Sequence, residues 1–273
     1  MFPSNLHTHT THSDGSHPPE AYIQTAIANK FVSIGFSDHQ PTIYKSTSEM
    51  QENQIPIYIE DINRLKKKYE GTIEVALGIE ADIYGTSDPA HLNLDYVIGA
   101  VHYLKKADGT YGSIDASPEH FIELIDAFNG IENLAEEYYA RLTDIINRKP
   151  DILAHFDLIA KFNSESKFFD PEESWHKQLI HEVIGHLTTT NIIVEVNTGA
   201  IARGYSKTPY PHKYILRNLA KKGIPITISA DAHTPGNLCH AFNDALELIK
   251  STEHKTVMVY QDTGFKEVSL KNL

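Results

Sequence analysis

The chain has 273 residues, 41% hydrophobic and 22% charged, a composition that predicts a packed core and excludes a disordered chain. A formal charge of −12 argues against a surface that neutralises nucleic-acid phosphates, yet it allows an anionic small substrate, because bound cations invert the field of an acidic site. Cys239 is the only cysteine, no apolar run reaches 18 residues and MFPSNLHTHT lacks a basic n-region, so no disulfide, membrane span or signal peptide is expected and a cytoplasmic location is.

In chain order, SNLHTHT predicts a short strand and PPEAYIQTAIANKF a helix, with prolines where a first turn tolerates them. VSIGFSDH is the next strand. YIEDINRLKKKY is a helix whose Ile59, Ile62 and Leu65 recur at three-residue spacing. IEVALGIEADI and YVIGAVHYL are two further strands. Two helices span roughly 117–148, the first capped by Ser117 with Pro118 at its first position. DILAHFDLI, IIVEVNTGAI and PITISADAH complete seven strands, with helices near 171–189 and 210–222 between them. A helix near 238–251 and the β-rich TVMVY follow. Such alternation implies a parallel sheet covered by helices, open or closed into a barrel, and no linker divides it.

The C-terminal ends of these strands carry the chemistry. They hold His7 and His9, Asp38 and His39, Glu80, His102, His155, Glu195 and Asn197, and Asp231 and His233. In an α/β barrel such ends converge on one mouth. Strand side chains repeat with period two, so His7 and His9 share a face with Cα atoms about 6.6 Å apart, close enough to converge on one ion. Asp231 and His233 stand in the same relation. Imidazole and carboxylate ligands without thiolates suit Zn²⁺, Mn²⁺ or Fe²⁺.

The motifs HTHTTHSDG, FSDH, LGIEAD, GAVHYL, AHFDLI, EVNTGA and ISADAH resemble, in order and spacing, those of the polymerase-and-histidinol-phosphatase (PHP) superfamily. The resemblance implies a distorted (β/α)7 TIM-like barrel, one domain over 1–273, with up to three divalent ions at its mouth. It implies His7, His9, Glu80 and Asp231 on one ion, and Glu80 bridging to a second completed by His102 and His155. Asp14, His39 and His233 would hold the third, with His12 as an alternative to Asp14 and His17 as a bystander. Ions about 3.5–4 Å apart can trap a bridging hydroxide and clamp a phosphoryl group, which implies in-line attack without a phosphoenzyme. Asp231 and His233 are the candidates for protonating the leaving group.

Within the superfamily the chain most resembles the stand-alone histidinol-phosphate phosphatases, in its length, in the insertion from QPTIYKS to GIEAD, and in EVNTGAIARGYSKTPYPH. That implies hydrolysis of L-histidinol phosphate, a small phosphorylated substrate, with no nucleic-acid or membrane partner. Arg203 could grip the phosphate bidentately and Lys161 could assist. The alternatives are a nucleotide phosphoesterase and a non-catalytic metal-binding barrel. HEVIGH at 181–186 is one residue too long for a zincin motif, so it is read as structural. His91, His120, His176, His240 and His254 are read as solvated or packed, Cys239 as unactivated, and Tyr138-Tyr139 and Phe168-Phe169 as core.

Overall fold

The computed structural model describes residues 4–44 and 46–272. Its parallel strands enter one sheet in the order the chain supplies them. β1 (Ser4–Asn5), β2 (Ser33–Phe36), β3 (Glu74–Asp82) and β4 (Tyr96–Ala100) come first, and β5 (Tyr103–Lys105) and β6 (Tyr111–Ser113) form a separate antiparallel hairpin. The sheet resumes with β7 (Ile152–Leu153), β8 (Ile193–Asn197) and β9 (Ile226–Ser229). Past the end of β1, His9 N donates to Ala232 O at 2.9 Å and Ala232 N to His7 O at 3.1 Å. These two bonds join the first strand to the last and nearly close a seven-stranded barrel, as expected from the sequence.

Helices α1 (Pro19–Ala28), α2 (Ile55–Lys68), α3 (Pro118–Ala127), α4 (Ile131–Asn147), α5 (Ser174–Leu187), α6 (Gly199–Ala202), α7 (Lys213–Lys221) and α8 (Phe242–Lys250) lie between the strands. The longer helices bury one stripe and expose the other: α2 buries Tyr58, Ile62 and Leu65, and α4 buries Tyr138, Tyr139 and Leu142 among others. Ser117 caps α3 as expected, accepting from His120 N at 3.2 Å. Among the described residues no helix is long and apolar enough to cross a membrane.

The barrel interior is filled by a second apolar cluster that includes Leu6, Tyr96, Ile98, Ile152 and Ile193. Tyr96 crosses it and donates to Leu6 O at 2.5 Å and Phe36 O at 3.0 Å. Gly35 and Gly78 make room for that ring, since a Cβ would lie 2.4 Å from its hydroxyl at Gly35 and 2.3 Å from its Cζ at Gly78. β10 (Thr256–Tyr260) and β11 (Phe265–Ser269) form an antiparallel ribbon. It seals the barrel's N-terminal end, accepting from Ser33 Oγ at 2.6 Å and Thr227 Oγ1 at 2.9 Å.

Local boundaries differ from the sequence expectation, beginning with SNLHTHT and PITISADAH, which keep only Ser4–Asn5 and Ile226–Ser229 as strand. YVIGAVHYL is two strands, because β4 leaves the sheet at Val101 and β5 pairs with β6. DILAHFDLI keeps only Ile152–Leu153 as strand and then turns into a 3₁₀ segment at Leu158–Ala160. IIVEVNTGAI ends at Asn197, where α6 begins two residues on. β11 escaped notice because FKEVS is short and largely solvent-facing.

Candidate metal centre

Glu80, at the end of β3 and 1% exposed, is the hub of the barrel mouth. Its Oε2 lies 2.9 Å from His39 Nδ1, 3.2 Å from His7 Nε2 and 3.5 Å from His9 Nε2. Its Oε1 lies 3.1 Å from His155 Nε2 and 3.4 Å from His102 Nε2. Five imidazoles from four strand ends thus face the two oxygens of one carboxylate, an arrangement that allows it to bridge. Asp231 Oδ1 stands 3.1 Å from His9 Nε2 and 3.7 Å from His7 Nε2. Asp14 Oδ1 stands 3.2 Å from His233 Nε2, 3.8 Å from His39 Nε2 and 4.0 Å from His9 Nδ1. All nine expected ligands therefore meet. Potential ligand atoms within 4.8 Å of one another fall into three overlapping groups: His9, Asp14, His39 and His233; His7, His9 and Glu80; and His39, Glu80 and His102. His9 and His39 each belong to two groups, and His155 joins through Glu80.

Buried polar atoms without a hydrogen-bond partner cost free energy, so each needs an explanation. His7 Nε2, both ring nitrogens of His9, Glu80 Oε2 and His155 Nδ1 are buried here with none. Divalent cations would supply partners for His7 Nε2, one nitrogen of His9 and Glu80 Oε2, and the imidazole–carboxylate donor set suits them. Electrostatics agree. Burial opposes charge on Glu80, but His7, His102 and His39 outweigh it and hold the carboxyl well below its usual range. Burial likewise opposes charge on His7, yet Glu195, Glu80 and Asp231 raise its pKa well above normal. For His9, burial and then His39 and His233 push the value down to about 3. For His39, burial is outweighed by Glu80 and Asp14, and the value rises to about 8.

The PHP domain family model matches residues 5–199. The chain belongs to the PHP family. It is 29% identical over 264 residues to a chain of Deinococcus radiodurans named "probable histidinol-phosphatase", covering 93% of this chain and 94% of that one. It is also 29% identical over 247 residues to the histidinol-phosphatase of Bacillus subtilis, covering 83% and 91%. The fold matches the crystal structure of histidinol phosphate phosphatase from Lactococcus lactis, complexed with zinc, L-histidinol and phosphate, with TM-score 0.75, 20% identity and coverage of 97% and 98%.

A second layer of carboxylates steadies the imidazoles of this PHP barrel. Glu195, fully buried on β8, accepts from His7 Nδ1 at 2.6 Å, His155 N at 2.9 Å and Asn197 Nδ2 at 2.8 Å, and also from Ser229 Oγ. The Nδ1–H given to Glu195 leaves the His7 Nε2 lone pair facing Glu80, as metal ligation requires. Asp82 accepts from His102 N at 2.8 Å, and its carboxylate lies 3.3 Å from His102 Nδ1. Asp38 accepts from Thr10 N at 2.7 Å and Ser13 N at 3.1 Å, fixing the turn that carries Asp14. Sequence reading marked Asp38 and Glu195 as strand-end acids without assigning them work, and it passed over Asp82 and Asp115.

Arg203, at the end of α6, lies against the centre, with Nη2 2.8 Å from Asp231 Oδ2 and Nη1 3.2 Å from Asp231 O. Lys161 is 7% exposed, and its Nζ donates to Asp115 O at 2.7 Å and Asp115 Oδ2 at 3.1 Å. Both cations line a cleft of about 360 Å³ that opens over the centre. Asp231 itself sits at φ 47°, a left-handed conformation that an L-residue holds only under constraint, and such strain concentrates at functional sites. His12 turns away to Asp61 Oδ2 at 3.1 Å, and His17 bonds Ser16 Oγ at 2.7 Å. The helical His181 reaches Tyr214 OH at 2.9 Å, His176 is buried against Tyr139 OH at 2.8 Å, and burial pushes the Cys239 thiol up, so none of these joins the centre.

Proposed function

We propose that this PHP barrel hydrolyses L-histidinol phosphate to L-histidinol and orthophosphate, with residues 1–273 acting as one catalytic domain in the cytoplasm. The observation that carries the reading is Glu80, with each of its oxygens facing its own group of imidazoles at the floor of a cleft that also holds Arg203 and Lys161. The names of the relatives point to the same substrate. Up to three Zn²⁺, Mn²⁺ or Fe²⁺ ions would be held by His7, His9, Glu80 and Asp231, by Glu80, His102 and His155, and by Asp14, His39 and His233. Such ions supply water acidified to neutral pH and positive charge against the phosphoryl oxygens.

The protein's own residues do the rest. Arg203 presents N–H groups beside Asp231 and can share them with a phosphate oxygen. Lys161 adds a second positive charge on the cleft wall. Asp231 and His233 are the nearest candidates for passing a proton to the leaving alkoxide. Glu195 and Asp82 hold the imidazoles that must remain fixed during turnover. The test is kcat/KM for L-histidinol phosphate against a nucleoside monophosphate on protein loaded with Mn²⁺ or Zn²⁺. A preference of about 10³-fold, or about 4 kcal/mol of differential transition-state binding, is expected. Comparable or reversed values would transfer the site to nucleotide substrates, and no turnover of either would leave a metal-binding barrel without this activity.

A further inference from the structure

Six carboxylates line the cleft: Asp14, Glu49, Glu80, Asp82, Asp115 and Asp231. Five are matched by a basic side chain, with His233 3.2 Å from Asp14, His39 2.9 Å from Glu80, His102 3.3 Å from Asp82, Lys161 3.1 Å from Asp115 and Arg203 2.8 Å from Asp231. Glu49 is the exception. Among the described residues its oxygens accept only from Thr42, at 2.9 Å from the backbone N and 2.8 Å from Oγ1, and no cationic group pairs with it.

This carboxylate is also held in place. Thr42 bridges Gly85 just beyond β3, and the residue after Glu49, Met50, is buried and donates its N–H to His39 O at 3.1 Å. The Glu49 loop is therefore tied to a backbone that carries a ligand of the centre. Glu49 stands where the cleft meets a second cavity of about 760 Å³, which it also lines. Tyr103, another cleft residue, is backed by the ring of Tyr44 at 4.1 Å between centroids and offers a flat wall. A fixed, unmatched anion beside a cation-rich phosphate site is complementary to a substrate with a positive charge a short way from its phosphate ester.

We propose that Glu49 is the specificity residue that selects phosphate monoesters bearing an ammonium group near the ester oxygen. This rests on the phosphatase reading above, where that group is the primary amine of L-histidinol phosphate. The second cavity then gives the rest of the substrate room beyond Glu49, and Thr42 acts as the positioning residue.

The experiment uses the metal-loaded full chain with 2-aminoethyl phosphate and ethyl phosphate, which differ in the ammonium group. In the wild type the amine is expected to have the higher kcat/KM. In Glu49→Gln the ratio is expected to fall about 10- to 100-fold, the range for a charge-assisted hydrogen bond, while Glu49→Asp keeps part of it. A structural role for Glu49 would lower both substrates together and leave the ratio, and an unchanged ratio in Glu49→Gln overturns the proposal. Calorimetric binding of L-histidinol against its des-amino analogue reads the same discrimination in the wild type without turnover, and equal Kd values also overturn it. A protein that prefers the amine but not L-histidinol phosphate would retain Glu49 selectivity and lose the substrate reading.

Discussion

Glu195→Gln tests whether the carboxylates behind the centre set metal affinity. The substitution keeps the size of the side chain but replaces two acceptor oxygens with one acceptor and one donor. With the amide oxygen toward His7 Nδ1, the new NH₂ meets His155 N, now at 2.9 Å from Oε2, and Asn197 Nδ2, now at 2.8 Å. Asn197 cannot simply flip, because its Oδ1 already accepts from Gly199 N at 2.8 Å. With the amide reversed, NH₂ meets His7 Nδ1, now at 2.6 Å from Oε1, and His7 must move its proton to the nitrogen that should bind metal. Either orientation leaves at least one buried donor unsatisfied, at about 1–3 kcal/mol each. At about 1.4 kcal/mol per tenfold, metal affinity should fall about 10- to 100-fold, with activity following at limiting metal. Competition with a chelator, alongside Tm of the apo and loaded forms, measures it. A Glu195→Gln protein that binds metal as tightly as the wild type would refute the reasoning.

Glu80→Ala removes the one carboxylate that faces five imidazoles, so turnover should be lost and bound metal per chain should drop, read by elemental analysis; retained turnover would sink a multinuclear site. Arg203→Ala should lower kcat/KM mainly through KM, and an unchanged value would return Arg203 to a purely structural pairing with Asp231. Asp14→Ala should lower metal content while His12→Ala should not, because His12 is bonded to Asp61. The pKa of His39 is raised to about 8, so the apo protein gains stability from that proton below about 6.5 and loses it as pH rises through 8. Metal must displace the proton, so apparent metal affinity should climb as pH rises toward about 8; a flat profile in a pH series of chelator titrations would count against His39 as a ligand.

The candidate ligands are legible because the topology makes them so. Once seven strands run parallel, their C-terminal ends must converge, and any His, Asp or Glu there becomes a neighbour of the others. That rule brings His7, His9, His39, Glu80, His102, His155, Asp231 and His233 together from the sequence alone. Asp14 and Arg203 sit in loops past strand ends, and the resemblance supplied them. The expected set of Asp14, His39 and His233 falls within one spatial group together with His9, while His9, His39 and Glu80 each belong to two groups. The β5–β6 hairpin and β11 were not legible, because strands of 3 and 5 residues at the rim leave no hydrophobic period to read.

The second layer was hidden for a different reason. Two of the strands are very short, 2 residues in β1 and 2 in β7, and the segment beyond each, which carries His7 and His9 or His155, leaves the ladder. Its backbone N–H groups then need another acceptor. Carboxylates take that place: Asp38 accepts from Thr10 N, Asp82 from His102 N and Glu195 from His155 N. Of these acids, Glu195 and Asp82 also face imidazoles, those of His7 and His102, so loss of either should disturb fold and metal affinity together. In sequence each is a lone acid in a strand or just past one. Only three-dimensional pairing shows which backbone donor it serves, and pairing across 28, 20 and 40 residues cannot be inferred from any local pattern.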